Sequence, residues 1–233
     1  MIKPIFSIIA VCCLCANFAY AKPFQNEVSG LEAYSLQSGS FHIDFSSGLT
    51  FPFTDVNQMV VKPAFELMGG YYFQHGLSVQ VSLLKGWMAA GVKNDEDRYF
   101  MNNYWSENLI LRFNPMAIWR TQTNSRPNFY VGAGVSLMQS YTIGQYRPGT
   151  AGGYKANYHG HDIFIPGEIG VNIPLANVNK RSDNLISQFL VLNINYRNYF
   201  SFTDDMDSYV PPAKYSKHND GFSVFSLGLS FVF

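Results

Sequence analysis

Apolar residues recur at every second position in about eight segments of the chain. The last segment is the clearest example, with apolar side chains at Phe225, Leu227, Leu229, Phe231 and Phe233 and mostly small residues between them. A period of two is typical of a β-strand that has one apolar and one polar face. The same pattern appears near residues 41–53, 65–73, 77–83, 109–113, 129–137, 163–173 and 190–196. The sequence therefore predicts an all-β chain with eight strands.

The predicted strands and their connections have lengths that suit a membrane barrel. With the residues that flank these apolar positions, most strands run to about 10 to 13 residues, which is enough for a tilted crossing of the hydrocarbon layer. Counted from these strands, three connections run to about 20 residues and alternate with shorter ones of about 3, 8 and 13. Long loops would then share one rim and short turns the other, with residues 54–61 as an abbreviated exception. Outer-membrane barrels have this asymmetry.

The polarity of the two strand faces distinguishes a membrane barrel from a soluble one. Charged residues make up only 14% of the chain and aromatic residues 16%. A soluble barrel such as a lipocalin is the alternative, but its outward face would need many more charges. Here one face is continuously apolar, and the other carries mostly Gly, Ser and Asn. We therefore expect an eight-stranded antiparallel up-and-down transmembrane β-barrel over residues 41–233.

Residues 1–21 have the features of a secretory signal peptide. Lys3 precedes a largely apolar run, and Ala19-Tyr20-Ala21 matches a small-residue cleavage pattern. The three cysteines, Cys12, Cys13 and Cys15, all fall in this segment, so we expect an exported protein without disulfides. Residues 22–40 are interpreted as an N-terminal lead-in, in which residues 31–36 could add a short strand. The balanced net charge offers no basic field for nucleic acid, so none is expected as a partner.

The signal peptide, the alternating strands and the aromatic last strand together resemble the small outer-membrane β-barrel family typified by the OmpA transmembrane domain and OmpX. The resemblance covers residues 22–233 by pattern rather than by a diagnostic motif. It implies a monomer surrounded by lipid in the outer membrane of a Gram-negative bacterium. It also implies that the last strand is an assembly signal read transiently by the barrel-assembly machinery, through Phe225, Leu227, Leu229, Phe231 and Phe233.

A few charged residues occupy the inward phase of the predicted strands. We expect Glu66, Arg112, Glu168 and Arg197 to lie at similar depth and to form an ionic cluster in the lumen. Confined charges need partners, since an isolated ion in a poorly hydrated interior is costly. Asp44 is a further inward acid. Bulky inward residues, including Tyr130 and Phe164, add to a predicted plugged lumen without a continuous pore.

Other residues offer weaker candidates for chemistry. His159 and His161 have the spacing of two metal ligands but no third ligand is placed by the sequence, and both are expected in a solvated loop. Asp204, Asp205 and Asp207 lack the glycine and glutamate of a calcium loop. No serine, histidine and acid constellation is evident. The sequence thus predicts no catalytic residue, metal or cofactor.

The predicted external loops, residues 94–105, 141–158 and 201–220, are rich in tyrosine, glycine and polar residues, as binding loops are. We expect a structural or surface-recognition role, similar to adhesion, with an unknown surface ligand. Two alternatives stay open. One is transport of a small apolar molecule through a lateral opening of the barrel. The other is a lipid-modifying outer-membrane hydrolase.

Overall fold

The computed structural model describes ten ranges of the chain. These ranges are 41–54, 58–73, 76–91, 98–115, 127–146, 153–154, 158–177, 189–202, 209–210 and 220–232. The predicted signal peptide and lead-in, the terminal Phe233, and Asp204, Asp205 and Asp207 lie outside them. None of the helices in the described ranges has the length and apolarity needed to span a membrane.

Eight long strands and three two-residue strands make up the fold in the described ranges. In chain order they are β1 (Phe41–Phe53), β2 (Met59–Val60), β3 (Lys62–Tyr72), β4 (Leu77–Ala90), β5 (Arg98–Phe113), β6 (Asn128–Tyr146), β7 (Gly153–Tyr154), β8 (Tyr158–Asn177), β9 (Phe189–Ser201), β10 (Tyr209–Val210) and β11 (Gly221–Val232). Each long strand pairs antiparallel with the next long strand, and β1 pairs with both β3 and β11. The sheet is therefore a closed up-and-down barrel, which confirms the predicted fold class.

The strands are staggered around the barrel axis. Paired residues can be followed from strand to strand once around the barrel, starting at Tyr72 on β3. The path returns to β3 at Lys62, ten residues from its start. A stagger of this size tilts the strands, and eight tilted strands enclose an interior that side chains can fill. Residues far apart in sequence but inward in phase are thereby brought together.

Several strands extend further than the apolar alternation indicated. Residues 98–105 belong to β5, β6 continues to Tyr146, and β8 begins at Tyr158, although these segments were expected to be loops. Residues 54–61 contain β2, which pairs with β4. Beyond the apolar belt most outward residues are polar or aromatic, with Met101 and Ile143 as exceptions, so the hydrophobic signal fades while the backbone pairing continues. The connections 91–97 and 147–157, expected to be long, are no longer than 114–127 and 178–188 on the opposite rim, so the predicted asymmetry of connection lengths is wrong for these four.

We call the rim that carries the connections 91–97, 147–157 and 202–220 the outer rim, and the rim that carries the turn at 73–76 the inner rim. Near the outer rim, β7 pairs with β10, at Tyr154 with Tyr209 and Gly153 with Val210. This pairing joins the connection that follows β6 to the connection that follows β9.

The two faces of the barrel differ sharply in composition. Outward side chains are large, apolar and exposed, for example Phe45 at 61%, Val81 at 62% and Leu109 at 54%. Inward side chains are mostly small or polar and buried, for example Ser82 and Asn108. A water-soluble barrel would have the reverse arrangement. The outward surface therefore faces lipid.

Candidate functional site

The barrel interior holds a buried ionic cluster built from β3, β5, β8 and β9. Glu168 accepts hydrogen bonds from both arginines: Arg112 Nε donates to its Oε1, and Arg197 Nε donates to its Oε2 at 2.9 Å. Arg197 also donates from Nη1 to Oε1 of Glu66, at 2.5 Å. Glu66 lies on β3, and β1 and β11 separate this strand from β9, so this ion pair crosses the lumen.

Polar side chains complete the contacts of Glu168 and Arg112. Asn195 Nδ2 donates to Glu168 Oε2 and to the Tyr130 hydroxyl, both at 2.9 Å. The Tyr130 hydroxyl in turn donates to Asn193, and the Arg112 guanidinium carbon lies 4.2 Å from the centre of the Tyr130 ring. These contacts fix Arg112 in one position, because Glu168 binds an edge of its guanidinium and the Tyr130 ring packs on the guanidinium face.

Glu66 has a smaller set of neighbours on β4 and β5. Ser82 Oγ donates to Glu66 Oε1 at 2.5 Å, and Asn108 Nδ2 donates to Ser82 Oγ at 2.9 Å. All of these side chains are buried. The polar network therefore reaches from β3 to β5 on one side of the lumen and from β8 to β9 on the other.

An apolar layer lies next to the ionic cluster, towards the outer rim. The rings of Tyr199 and Phe222 stack with centroids 4.3 Å apart and an interplanar angle of 8°. Phe164 and Tyr104 contact Phe222 with centroid distances of 5.5 Å and 5.1 Å. Side chains of β4, β5 and β6 pack into the same buried cluster, namely Leu84, Met88, Phe100 and Met138.

Hydrogen bonds join the two layers and anchor the apolar layer to β1. The Tyr199 hydroxyl accepts a hydrogen bond from Arg197 Nη1 at 3.0 Å. The Tyr104 hydroxyl is 2.9 Å from Thr50 Oγ1. Aromatic rings with a polar tip thus pack against the apolar layer while their hydroxyl groups remain satisfied.

A second polar group lies near the inner rim. His42 Nδ1 is 2.9 Å from Asp44 Oδ1, and the His42 ring packs against the Tyr72 ring at 4.7 Å. Gln80 Nε2 is 3.4 Å from His42 Nε2. The inward Asp44 is therefore paired within its own strand and does not join Glu66 and the arginines among the contacts described.

The structure brings the four predicted ionic residues into one connected group of contacts. Phe225, Leu227, Leu229 and Phe231, predicted to be an assembly signal, lie exposed on the outward face of β11. The sequence reading missed Tyr104, Tyr199, Phe222, Asn193 and Asn195. Their inward phase along β5, β9 and β11 was the available signal, but three of them are aromatic and resemble lipid-facing residues.

His159 and His161 were expected in a loop, but both lie on strand β8. Both are exposed on the outward face of β8, and the centre of the His159 ring lies 4.6 Å from the centre of the Tyr141 ring. Within the described ranges, no three His, Cys, Asp or Glu side chains are close enough together to hold a metal ion.

The closed antiparallel sheet, the apolar outward face and the polar network inside define an eight-stranded transmembrane β-barrel of the bacterial outer-membrane class. Solved structures with this fold include Neisserial surface protein A, with a TM-score of 0.50 and 12% identity over 83% of this chain and 98% of that chain. OprG of Pseudomonas aeruginosa has a TM-score of 0.49 and 15% identity over 86% of this chain and 98% of that chain. For Ail of Yersinia pestis, the attachment invasion locus protein, the TM-score is 0.45 and the identity 12%, over 84% of this chain and 100% of that chain.

At 12% identity, the match to Neisserial surface protein A shows a likeness of fold alone. No protein-family model matches the sequence, and no curated protein matches it either. The fold and the lipid-facing surface together place the protein in a bacterial outer membrane.

Proposed function

We propose that this barrel is a closed frame in the outer membrane that presents a recognition surface at its outer rim, and that it conducts no solutes. The ion pair between Arg197 and Glu66 carries the proposal, because it crosses the lumen. Arg197 also binds Glu168, so one side chain connects β9 with β3 and with β8. A hydrated pore would need space where these side chains meet.

The apolar layer next to the cluster supports the same proposal. Tyr104, Phe164, Tyr199 and Phe222 are each 0% exposed. An ion that moved through the lumen would leave water for this layer, at a large cost in free energy. Two successive barriers, one ionic and one apolar, are therefore proposed to close the interior.

The surface near the outer rim supports a role in recognition. Strands β5, β6 and β8 continue past the apolar belt and present Tyr141, His159 and His161 outward. The pairing of β7 with β10 links two of the connections at this rim. Rigid strands that carry aromatic and polar side chains lower the entropy cost of binding a partner. The proposed role is non-enzymatic.

Conductance in planar lipid bilayers tests the closed interior. The intact protein is expected to give no steady single-channel current in potassium chloride. A variant with Arg197→Ala, Glu66→Ala, Tyr199→Ala and Phe222→Ala removes the ion pair that crosses the lumen and the stacked rings next to it, and is expected to conduct. Insertion is verified independently by heat-modifiable migration on gels. Steady currents from the intact protein would contradict the proposal.

Adhesion by bacteria that carry the protein tests the recognition role. A non-adherent laboratory strain expressing the chain is expected to bind cultured epithelial cells several-fold better than the same strain without it. The double variant Tyr141→Ala and His159→Ala should lower that binding. A matched variant, Val81→Ala on the lipid-facing belt, should not. Equal binding by all four strains would contradict recognition while leaving the closed interior standing.

One observation favours the transport alternative as a second candidate. The ladder between β6 and β8 pairs Ala133 with Gly167 and then Ser136 with Phe164. Pro166 lies between them and has no N–H to donate. A gap in the hydrogen bonds between β6 and β8 at this level would give a route from the lipid to the apolar layer, where Phe164 is buried. Replacing Pro166 with Ala should then reduce uptake of a small apolar fluorophore by bacteria; unchanged uptake would exclude this route.

A further inference from the structure

The outward face of β4, β5 and β6 carries polar and charged side chains at the border of the apolar belt. Lys85 and Glu107 are the only Lys, Arg, Asp or Glu side chains on the outward face of the described strands. Glu107 is paired with Leu83 on β4 and with Leu137 on β6. Its carboxylate is thus exposed among leucines at the edge of the hydrocarbon layer.

Glu107 lies in a groove on the barrel surface. The groove has a volume of about 220 Å³ and is lined by Leu83, Trp105, Glu107, Leu137 and Gln139. Its leucines suit an acyl chain, and its two polar side chains offer oxygen atoms that accept hydrogen bonds. An exposed carboxylate at the border of a hydrocarbon layer is costly unless a donor group meets it there.

Lys85 lies next to this groove, one step closer to the outer rim. Its Nζ is 4.8 Å from the centre of the Trp105 ring and 5.4 Å from that of Trp87, and it donates a hydrogen bond to Asn103 Oδ1. The two tryptophans and Asn103 hold the ammonium group in place. Lys85 is half-buried, so its free N–H groups can still reach an anion from outside the barrel.

From the apolar belt towards the outer rim, this face presents four kinds of group in order. They are the leucine side chains, the Glu107 carboxylate, the Trp105 ring and the Lys85 ammonium group. We propose that it binds one phosphorylated glycolipid of the outer leaflet whose acyl chains are amide-linked and hydroxylated. The acyl chain would lie on Leu83 and Leu137, its amide N–H or hydroxyl would donate to Glu107, the sugar would pack on Trp105, and the phosphate would bind Lys85.

The acceptor distinguishes this lipid from an ordinary phospholipid. Glycerophospholipids have ester-linked chains, and esters offer no hydrogen-bond donor at the depth of Glu107. A phospholipid would therefore leave the carboxylate unpaired, whereas an amide or hydroxyl group meets it. The proposal does not depend on the closed lumen, which is measured by conductance.

Native mass spectrometry of the protein extracted from vesicles tests this site. The vesicles contain phosphatidylcholine with one part in ten of lipid A, or the same amount of phosphatidylglycerol as a phosphate without amide groups. The intact protein is expected to retain lipid A and little phosphatidylglycerol. Glu107→Leu should lower lipid A retention about tenfold, Glu107→Gln less, and Lys85→Met by a similar amount to Glu107→Leu.

Lys62→Met, which removes a cation from the inward face near the outer rim, is the matched control and should retain lipid A like the intact protein. All variants are checked by heat-modifiable migration, so that a folding defect is not mistaken for lost binding. Equal retention of lipid A by the intact protein and the Glu107 and Lys85 variants would overturn the proposal. Equal retention of the two lipids, or a second copy of the chain in place of lipid, would also overturn it.

Discussion

Glu168 is the residue on which the interior network depends most. It is buried and accepts hydrogen bonds from Arg112, Arg197 and Asn195. A buried ion pair does not by itself stabilise a fold, because the attraction between its charges roughly offsets the cost of removing them from water. Removing one partner is different, since the remaining charges then stay buried without compensation.

We therefore expect Glu168→Gln to lower the free energy of unfolding by about 3 kcal/mol, because Arg112 loses its carboxylate and Arg197 loses one of two. Urea unfolding in lipid vesicles, followed by tryptophan fluorescence, measures this change. Glu107→Gln removes the exposed carboxylate at the border of the apolar belt and should change stability by at most about 1 kcal/mol. Equal losses for the two variants would show that the cluster contributes nothing specific.

Gly86 makes room for a ring of the apolar layer. A Cβ at this position would overlap the Tyr104 hydroxyl, which contacts Thr50. Gly86→Ala should therefore displace the ring and destabilise the barrel by about 1–3 kcal/mol. Gly69→Ala is the control, since its Cβ would meet only the His42 carbonyl oxygen at 3.9 Å. Unfolding midpoints in urea compare the two, and a tolerated Gly86→Ala would contradict the packing described.

At the scale of the elements, strand β6 combines a lipid-facing segment with an extension beyond the belt. Its outward face reads Val131, Val135 and Leu137, and then changes to Gln139 and Tyr141. The register with β5 and β8 continues through this change without a shift. The end of the apolar pattern therefore marks the membrane boundary, whereas the end of the strand lies further along.

This boundary can be located with arginine substitutions on one strand. Val135→Arg places a charge inside the hydrocarbon layer and should destabilise the barrel by about 2–4 kcal/mol. Gln139→Arg, four residues along the same outward face, should cost at most about 1 kcal/mol because its charge reaches the headgroup region. Urea unfolding in vesicles measures both. Equal costs would mean that the boundary does not fall between these positions.

The same distinction explains which elements the sequence could predict. Alternation in β11 was sufficient to predict the strand and its lipid-facing side, because half of its residues contact hydrocarbon. Alternation failed for residues 98–105 and for His159 and His161, whose outward neighbours are water or headgroups. Neither environment selects apolar side chains, so no periodic signal marks these parts of β5 and β8.

At the scale of the whole molecule, closure of the sheet decides what the interior contains. The inward phase of Glu66, Arg112, Glu168 and Arg197 could be predicted strand by strand. Which carboxylate meets which guanidinium could not, because the stagger of the sheet determines the partners. The apolar layer was missed for a related reason: inward aromatic rings such as Phe222 are recognised only when the opposite strands are known.

The orientation of the two faces is the central claim, and adjacent positions on β5 test it most directly. Nitroxide labels are attached one at a time to cysteines at positions 109–113, in protein with Cys12, Cys13 and Cys15 replaced by serine and inserted into lipid vesicles. Collision rates with oxygen and with a water-soluble nickel chelate are then measured. Labels replacing Leu109, Leu111 and Phe113 should collide with oxygen more often than labels replacing Ile110 and Arg112. The opposite phase, or no alternation, would contradict a barrel with lipid outside and a polar network within.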